Sequence, residues 1–189
     1  MATFTALFDA CVLYPAPIRD ILLHLAQTGL FRAKWTDHIH DEWTRNLLAN
    51  RADLSEESLL RTRALMNKAV LDCLVQDYEN LIEALVLPDP NDRHVLAAAI
   101  RCRADVIVTY NLKDFPEDIL RKQDIQAQHP DEFISHLIDL SPGVVCSAVK
   151  RMRVNLKNPP CGVGQLFGTL EGLGLVQTVS ALRDYAEVL

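Results

Sequence analysis

The run "ADVIVTY" (residues 104–110) constrains the fold more than any other stretch. It sets apolar, β-branched residues side by side with no polar alternation, the pattern of a strand covered on both faces. Such strands belong to parallel sheets lined by helices. "TALFDACVL" has the same short apolar form, although its periodicity does not separate strand from helix. "FRAKW" and "DIQAQ" read as two further strands. Helical segments stand between them. Pro15 and Pro17 suit the first turn of a helix over "IRDILLHLAQTGL", closed by Gly29. "TDHIHDEWTRNLLANR" opens at Thr36 or Asp37, and Ser55 caps "EESLLRTRALMNKAVLDCL" with Glu56 and Glu57 at the positive end of its dipole. A loop and helix over "LPDPNDRHVLAAAIRCR" and a helix from Pro116 complete the alternation. The expectation is an α/β chain, a three-layer fold with a central, mostly parallel sheet flanked by helices.

Beyond His129 the alternation stops. "PDEFISHLIDL", "SPGVVCSAVKRMRVNLKN" and "GQLFGTLEGLGLVQTVSALRDYAEVL" read as helices, with Ser141 and Pro142 as a cap pair and "PPCGVG" as a break. We therefore expect a core domain over 1–135 and a helical C-terminal extension over 136–189. With 49% hydrophobic content, 189 residues can bury one good core. The start "MATFTALFDACV" has neither the basic opening nor the apolar run of a signal peptide, and no segment approaches the roughly 20 apolar residues of a membrane span. A cytoplasmic protein without a membrane partner is expected. The five cysteines are scattered without ligand spacing and read as buried free thiols. His38 and His40 lack a third soft ligand nearby in the sequence and read as an exposed helix start, not a zinc site.

The net charge of −6 argues weakly against bulk nucleic-acid binding but does not exclude a nuclease, whose clustered carboxylates subtract from the sum. Residues 141–169 contain no Asp or Glu yet carry Lys150, Arg151, Arg153 and Lys157. That stretch is either a track for a phosphate backbone, with Lys150 and Arg153 as its contacts, or the wet face of a helix, and the second reading is favoured.

In a parallel sheet, function gathers at the carboxyl ends of the strands. Asp9 ends the first run, Asp114 follows "ADVIVTY", Asp92 opens the helix "RHVLAAAI", and Glu42 lies on the helix after the second strand. Carboxylates brought to one edge repel unless a cation balances them. Oxygen donors without a matching His or Cys set suit Mg²⁺ or Mn²⁺. Such an ion activates water and neutralises a leaving phosphate oxygen. Singly, Asp9, Asp89, Asp92 and Asp114 also fit helix caps or turns, and Glu42 a solvated helix position.

Together, "FDACVLYPAPIRDILLHLA", "DEWTRNLL", "LPDPNDRHVLAAAIRCRADVIVTYNLKDFP" and "AQHPDEF" resemble a PIN domain of the kind found in VapC-type toxins, over about residues 4–135. The resemblance implies a metal-dependent endoribonuclease with Asp9, Glu42 and Asp92 as its first three acids. At the fourth position Asn111 stands where many relatives carry Asp, with the carboxylate of Asp114 close behind. Asn111 offers an amide oxygen to a cation but no charge. Asn91 replaces another frequent Asp, leaving Asp89 as an outer helper, and Cys11 replaces an Asn that orients the first acid. Thr109 holds Asp9 or a water of the metal, or is an ordinary strand residue; Arg93 contacts phosphate or pairs with a neighbouring acid. A toxin role implies an RNA substrate, a cognate antitoxin and a homodimer. The alternatives are a catalytically weak PIN module acting through protein binding, and a phospho-acceptor domain, which expects an acidic pair where Ala10 and Cys11 follow Asp9.

Overall fold

Thr5–Phe8 forms strand β1, and all four of its residues are buried in the computed structural model, which describes residues 3–189. Met1 and Ala2, the first residues of the expected core domain and of the start examined for a signal peptide, lie outside the described residues. β1 pairs in parallel with β2 (Arg32–Lys34) on one side and β3 (Val106–Val108) on the other, and β4 (Gln126–Gln128) adds in parallel to β3. The strand order is β2-β1-β3-β4. Every carboxyl end therefore points to the same edge.

The connections are helical, as parallel pairing requires. α1 (Ala10–Leu13) and α2 (Ala16–Ala26) follow β1; α3 (Asp37–Asn50), α4 (Glu56–Ala69), α5 (Glu79–Ile82) and α6 (Arg93–Cys102) lie between β2 and β3; α7 (Glu117–Leu120) precedes β4. α8 (Pro130–Leu140), α9 (Pro142–Asn155), α10 (Val163–Gly172) and α11 (Val176–Arg183) complete the chain. The caps at two helices follow the sequence: the Thr36 hydroxyl accepts from Ile39 N and the Ser55 hydroxyl from Ser58 N, whereas Ser141 precedes Pro142 at the start of α9 without a side-chain cap bond. Gly29 takes φ +78° just after α2, a conformation that L side chains rarely adopt.

Three boundaries depart from expectation. Residues 10–13 are helical, because Asp9 turns its carboxylate onto Ala10 N and ends the strand. The helix from Ser55 stops at Ala69, and residues 73–75 run beside Trp35 instead, with Trp35 N donating to Cys73 O and Val75 N to Trp35 O. The last apolar stretch breaks at Gly174, which takes φ +88° between α10 and α11.

The core carries an aromatic cluster on one face of β1. Phe8 packs against Phe31, Trp35 and Phe133, and the Phe31 and Phe133 rings lie 5.1 Å apart, edge to face. Phe133 comes from α8, so this helix seals the sheet, and it runs unbroken across the boundary expected at residue 135. α11 packs along α8, and α9 along α2 and α8. The buried Asp131 carboxylate accepts from Gln177 N at 2.9 Å and Thr178 N at 2.8 Å, tying the start of α11 to α8. No helix among the described residues is long and apolar enough to cross a membrane.

Candidate active site

Asp9 follows β1 directly, and its main-chain N–H extends the ladder to Val108 O. Its side chain is 3% exposed, so every carboxylate oxygen needs a partner. Oδ1 accepts from Ala10 N at 2.6 Å; Oδ2 accepts from the Thr109 hydroxyl at 2.7 Å and the Cys11 thiol at 3.1 Å. Thr109 comes from the end of β3, the strand beside β1, and its oxygen also accepts from Asn111 N at 3.0 Å. Burial, foremost, and then the nearby Glu42 push Asp9 above the usual carboxylate range, against the pull of these donors.

The other acids arrive from loops, a helix start and the second turn of α3 around the same edge. Asp89 caps a 3-10 turn, Pro90–Asp92, by accepting from Asn91 N at 2.9 Å, and Asp92 leads directly into α6. Asp92 is pushed up to about 7, by burial first and then by Asp9, Asp89, Asp114 and Glu42 in turn. All four neighbours are thus near enough for their charge to be felt there. Asp114 ends the 3-10 turn Leu112–Asp114 that follows Asn111. Glu42 lies on α3, turned from Asp37 and Asp41: those two pair with Arg63 of α4, whereas Glu42 Oε2 lies 3.4 Å from His94 Nε2.

The donor set is chemically that of a hard cation: carboxylate oxygens, an amide at Asn111, and crowded negative charge. Among the described residues no three His, Cys, Asp or Glu side chains stand close enough to chelate one ion by themselves. Mg²⁺ does not demand that, since it keeps several waters and commonly takes one or two carboxylates. The residues present fit such an ion bound largely through water. The larger clefts, of 440 Å³ beside Phe4, Asp105 and His136 and of 480 Å³ beside Tyr14, Arg19 and Arg51, are not lined by these acids.

Several residues stand otherwise than the sequence suggested. Cys11 does not leave Asp9 without an orienting group: burial, above all, and the adjacent Asp9 keep its thiol neutral, and it donates to that carboxylate while accepting from Tyr110 N at 3.3 Å. Arg93 makes no ion pair among the described residues; its Nε donates to Pro90 O at 3.0 Å. Lys150 donates to Val188 O, and the Arg153 guanidinium is taken up by the carbonyls of Leu189 and Cys161, so both act within the helical tail. His40 is not an exposed helix residue: it is fully buried, accepts from Trp43 Nε1 at 3.0 Å and lies 2.9 Å from Asn67 Oδ1. The five cysteines are free, as expected, but only Cys73 and Cys146 are buried; Cys11, Cys102 and Cys161 are partly exposed.

Sequence reasoning missed His94, 4% exposed and stacked on His38 with ring centroids 3.8 Å apart. The available signal was its place two residues after Asp92, in the first turn of α6. It also missed Tyr110, whose hydroxyl donates to Leu173 O at 2.9 Å and whose ring packs edge-on against His129.

Comparison with known proteins agrees with this geometry. The VapC50 C-terminal domain matches residues 130–184. A Mycobacterium tuberculosis (strain ATCC 25618 / H37Rv) protein named "Putative ribonuclease VapC50" is 61% identical over 49 residues, a match spanning 26% of this chain and 29% of that protein. No solved structure matches the chain significantly. The PIN domain matches residues 5–113, from β1 through the turn that carries Asn111, and with the parallel sheet and its acidic edge in place the chain belongs to the PIN domain family.

Proposed function

We propose that the chain is an endoribonuclease dependent on Mg²⁺ or Mn²⁺, cleaving single-stranded or looped RNA as the toxin of a type II toxin and antitoxin pair. Asp9, Glu42, Asp92 and Asp114 are its catalytic carboxylates, and with Asn111 they hold the metal. Thr109 and Asp89 support them. The observation that carries this reading is the buried Asp9 carboxylate at the carboxyl end of the sheet, held by Ala10 N, Cys11 and Thr109 from the end of β3, at an edge where Asp92 feels the charge of Asp9, Asp89, Asp114 and Glu42. Membership of the PIN domain family and the similarity to a protein named as a ribonuclease support it further.

When bound, the metal lowers the pKa of water and neutralises the charge developing on the leaving oxygen of the phosphodiester. The chain's own part is positional. Thr109 and Cys11 both donate to Oδ2 of Asp9, and Ala10 N fixes Oδ1, so the carboxylate cannot rotate away from the sheet edge. Glu42 approaches from the second turn of α3, Asp92 from the start of α6, and Asp114 and Asn111 from the turn after β3. Unpaired RNA, whose nucleotides can splay out one at a time, suits such a site once a cation offsets its negative charge. Lys150 and Arg153 have partners inside the tail, which supports the helix-face reading over an RNA track.

The remaining assignments belong to the same proposal: a nuclease domain over 1–135, a helical extension over 136–189, a cognate antitoxin, a homodimer and a cytoplasmic location. One observation favours a second reading, a PIN module acting through protein binding: no three candidate ligands are gathered for direct chelation. A single experiment separates the two. Purified protein is incubated with structured and unstructured RNAs in Mg²⁺, Mn²⁺ or chelator, beside Asp9→Asn and Asp92→Asn. Cleavage that needs metal and falls at least about 100-fold in both variants is expected. No cleavage together with no Mn²⁺ binding by calorimetry selects the protein-binding module.

A further inference from the structure

We infer that His94 is a positioning residue that steers Glu42 toward the metal, an inference that rests on the nuclease reading. His94 sits in the first turn of α6, two residues after Asp92, with its ring 4% exposed. Two nitrogens of this buried ring have different surroundings. Nε2 faces Glu42 Oε2 at 3.4 Å, whereas Nδ1 has no hydrogen-bond partner among the described residues.

That asymmetry assigns the proton. A hydrogen on Nδ1 would place a buried donor where nothing accepts it and turn a lone pair toward a carboxylate, two penalties at once. A hydrogen on Nε2 faces Glu42, without yet forming a hydrogen bond to it, and leaves at Nδ1 only a bare acceptor. His94 therefore presents a donor to Glu42, and the stacked His38 ring covers it from the opposite helix at 3.8 Å. The ring is also clamped by its helix: the residues that follow, Val95 to Ala99, are fully buried.

The donor is held rigidly and Glu42 is not. The Glu42 side chain is 30% exposed, and among the described residues no other side chain pairs with it. At 3.4 Å the contact is longer than the roughly 2.9 Å of a formed N–H···O bond, and hydrogen bonds of catalytic groups are often long before the reacting complex tightens them. Rotation of Glu42 closes the bond on one oxygen and leaves the other free for the cation. Outer partners that orient ligating groups commonly change metal affinity or activity by about 10- to 100-fold.

The test compares His94→Gln, whose amide nitrogen falls near the Nε2 position, with His94→Asn, whose amide ends near Nδ1 and falls short of Glu42, and with His94→Leu. Mn²⁺ affinity is read by calorimetry and RNA cleavage by kcat and KM, with circular dichroism confirming the fold of each variant. The expected result is a loss of about tenfold in Mn²⁺ affinity and in kcat for Asn and Leu, with KM unchanged, and return to within about threefold of wild type for Gln. In a Glu42→Gln background the same His94 substitutions should have no further effect. Wild-type Mn²⁺ affinity in a folded His94→Asn protein, or equal losses in Gln and Asn, overturns the inference. If Glu42→Gln weakens Mn²⁺ binding and His94→Asn does not, the nuclease reading stands and this inference alone falls. If the wild-type protein binds no Mn²⁺ and cuts no RNA, the nuclease reading fails and takes this inference with it.

Discussion

One hydroxyl, that of Thr109, serves three neighbours: it donates to Asp9, accepts from Asn111 N and lies 3.3 Å from the Cys11 sulfur. Thr109→Val keeps the shape and deletes the oxygen, leaving a buried carboxylate with one donor fewer and the Asn111 N–H without its partner. We expect a stability loss of about 1–3 kcal/mol in urea unfolding. RNA cleavage should fall about tenfold, because Asp9 gains a rotation it does not have in the wild type. Thr109→Ser restores the oxygen and should recover cleavage to within a few-fold. If Val cleaves as well as Ser, the hydroxyl is not what holds Asp9 for the reaction.

α11 depends on a residue 46 positions before its second residue. Asp131 accepts from Gln177 N and Thr178 N, two of the donors that a helix start leaves unsatisfied, and its negative charge suits the positive end of the dipole. Asp131→Ala should cost about 1–3 kcal/mol in urea unfolding, and Gln177 and Thr178 should lose protection from hydrogen exchange before the strands do. Uniform loss of protection throughout the sheet would refute a local role. Such long-range ties mark the limit of what the sequence told us about elements. The parallel sheet was legible because "ADVIVTY" admits few other readings, and the caps at Thr36 and Ser55 because their hydroxyls act within three residues. The helix at 10–13 was not, since short apolar runs look alike until Asp9 is seen bonding to Ala10 N. Asp9, Glu42, Asp92 and Asp114 were named from strand ends and from the family resemblance. His94 was not, because its meaning lies in Glu42, 52 residues away in the chain and 3.4 Å away in space.

For the whole molecule, the acidic edge links folding to pH. Asp92 moves from an ordinary 3.8 to about 7 on folding, so between those values the folded chain holds a proton that the unfolded chain has released. This contribution to stability is fully present below about pH 4 and is lost as pH rises toward 7. Asp9, also raised, acts in the same sense. The exposed Asp53, pulled down to about 2 by Arg51, acts oppositely but only below about pH 4. His38 and His40, pushed down by burial, act oppositely up to about pH 6.5. The metal-free protein should therefore lose melting temperature from pH 5 to pH 8 when compared with Asp92→Asn, in which those imidazoles still titrate, and added Mn²⁺ should raise it more at pH 8 than at pH 5. A shift of equal size at both pH values would mean that the ion does not answer the charge at Asp92. The helical tail reaches this edge through a different kind of bond. Tyr110, next to Thr109, donates to the main-chain carbonyl of Leu173, and a carbonyl is present whatever side chain stands there. The bond therefore survives any letter at 173 that still packs against the core, as Leu173 does, but an insertion or deletion within α10 shifts the carbonyl away from the phenol. This helix is thus expected to drift in spelling while keeping its length.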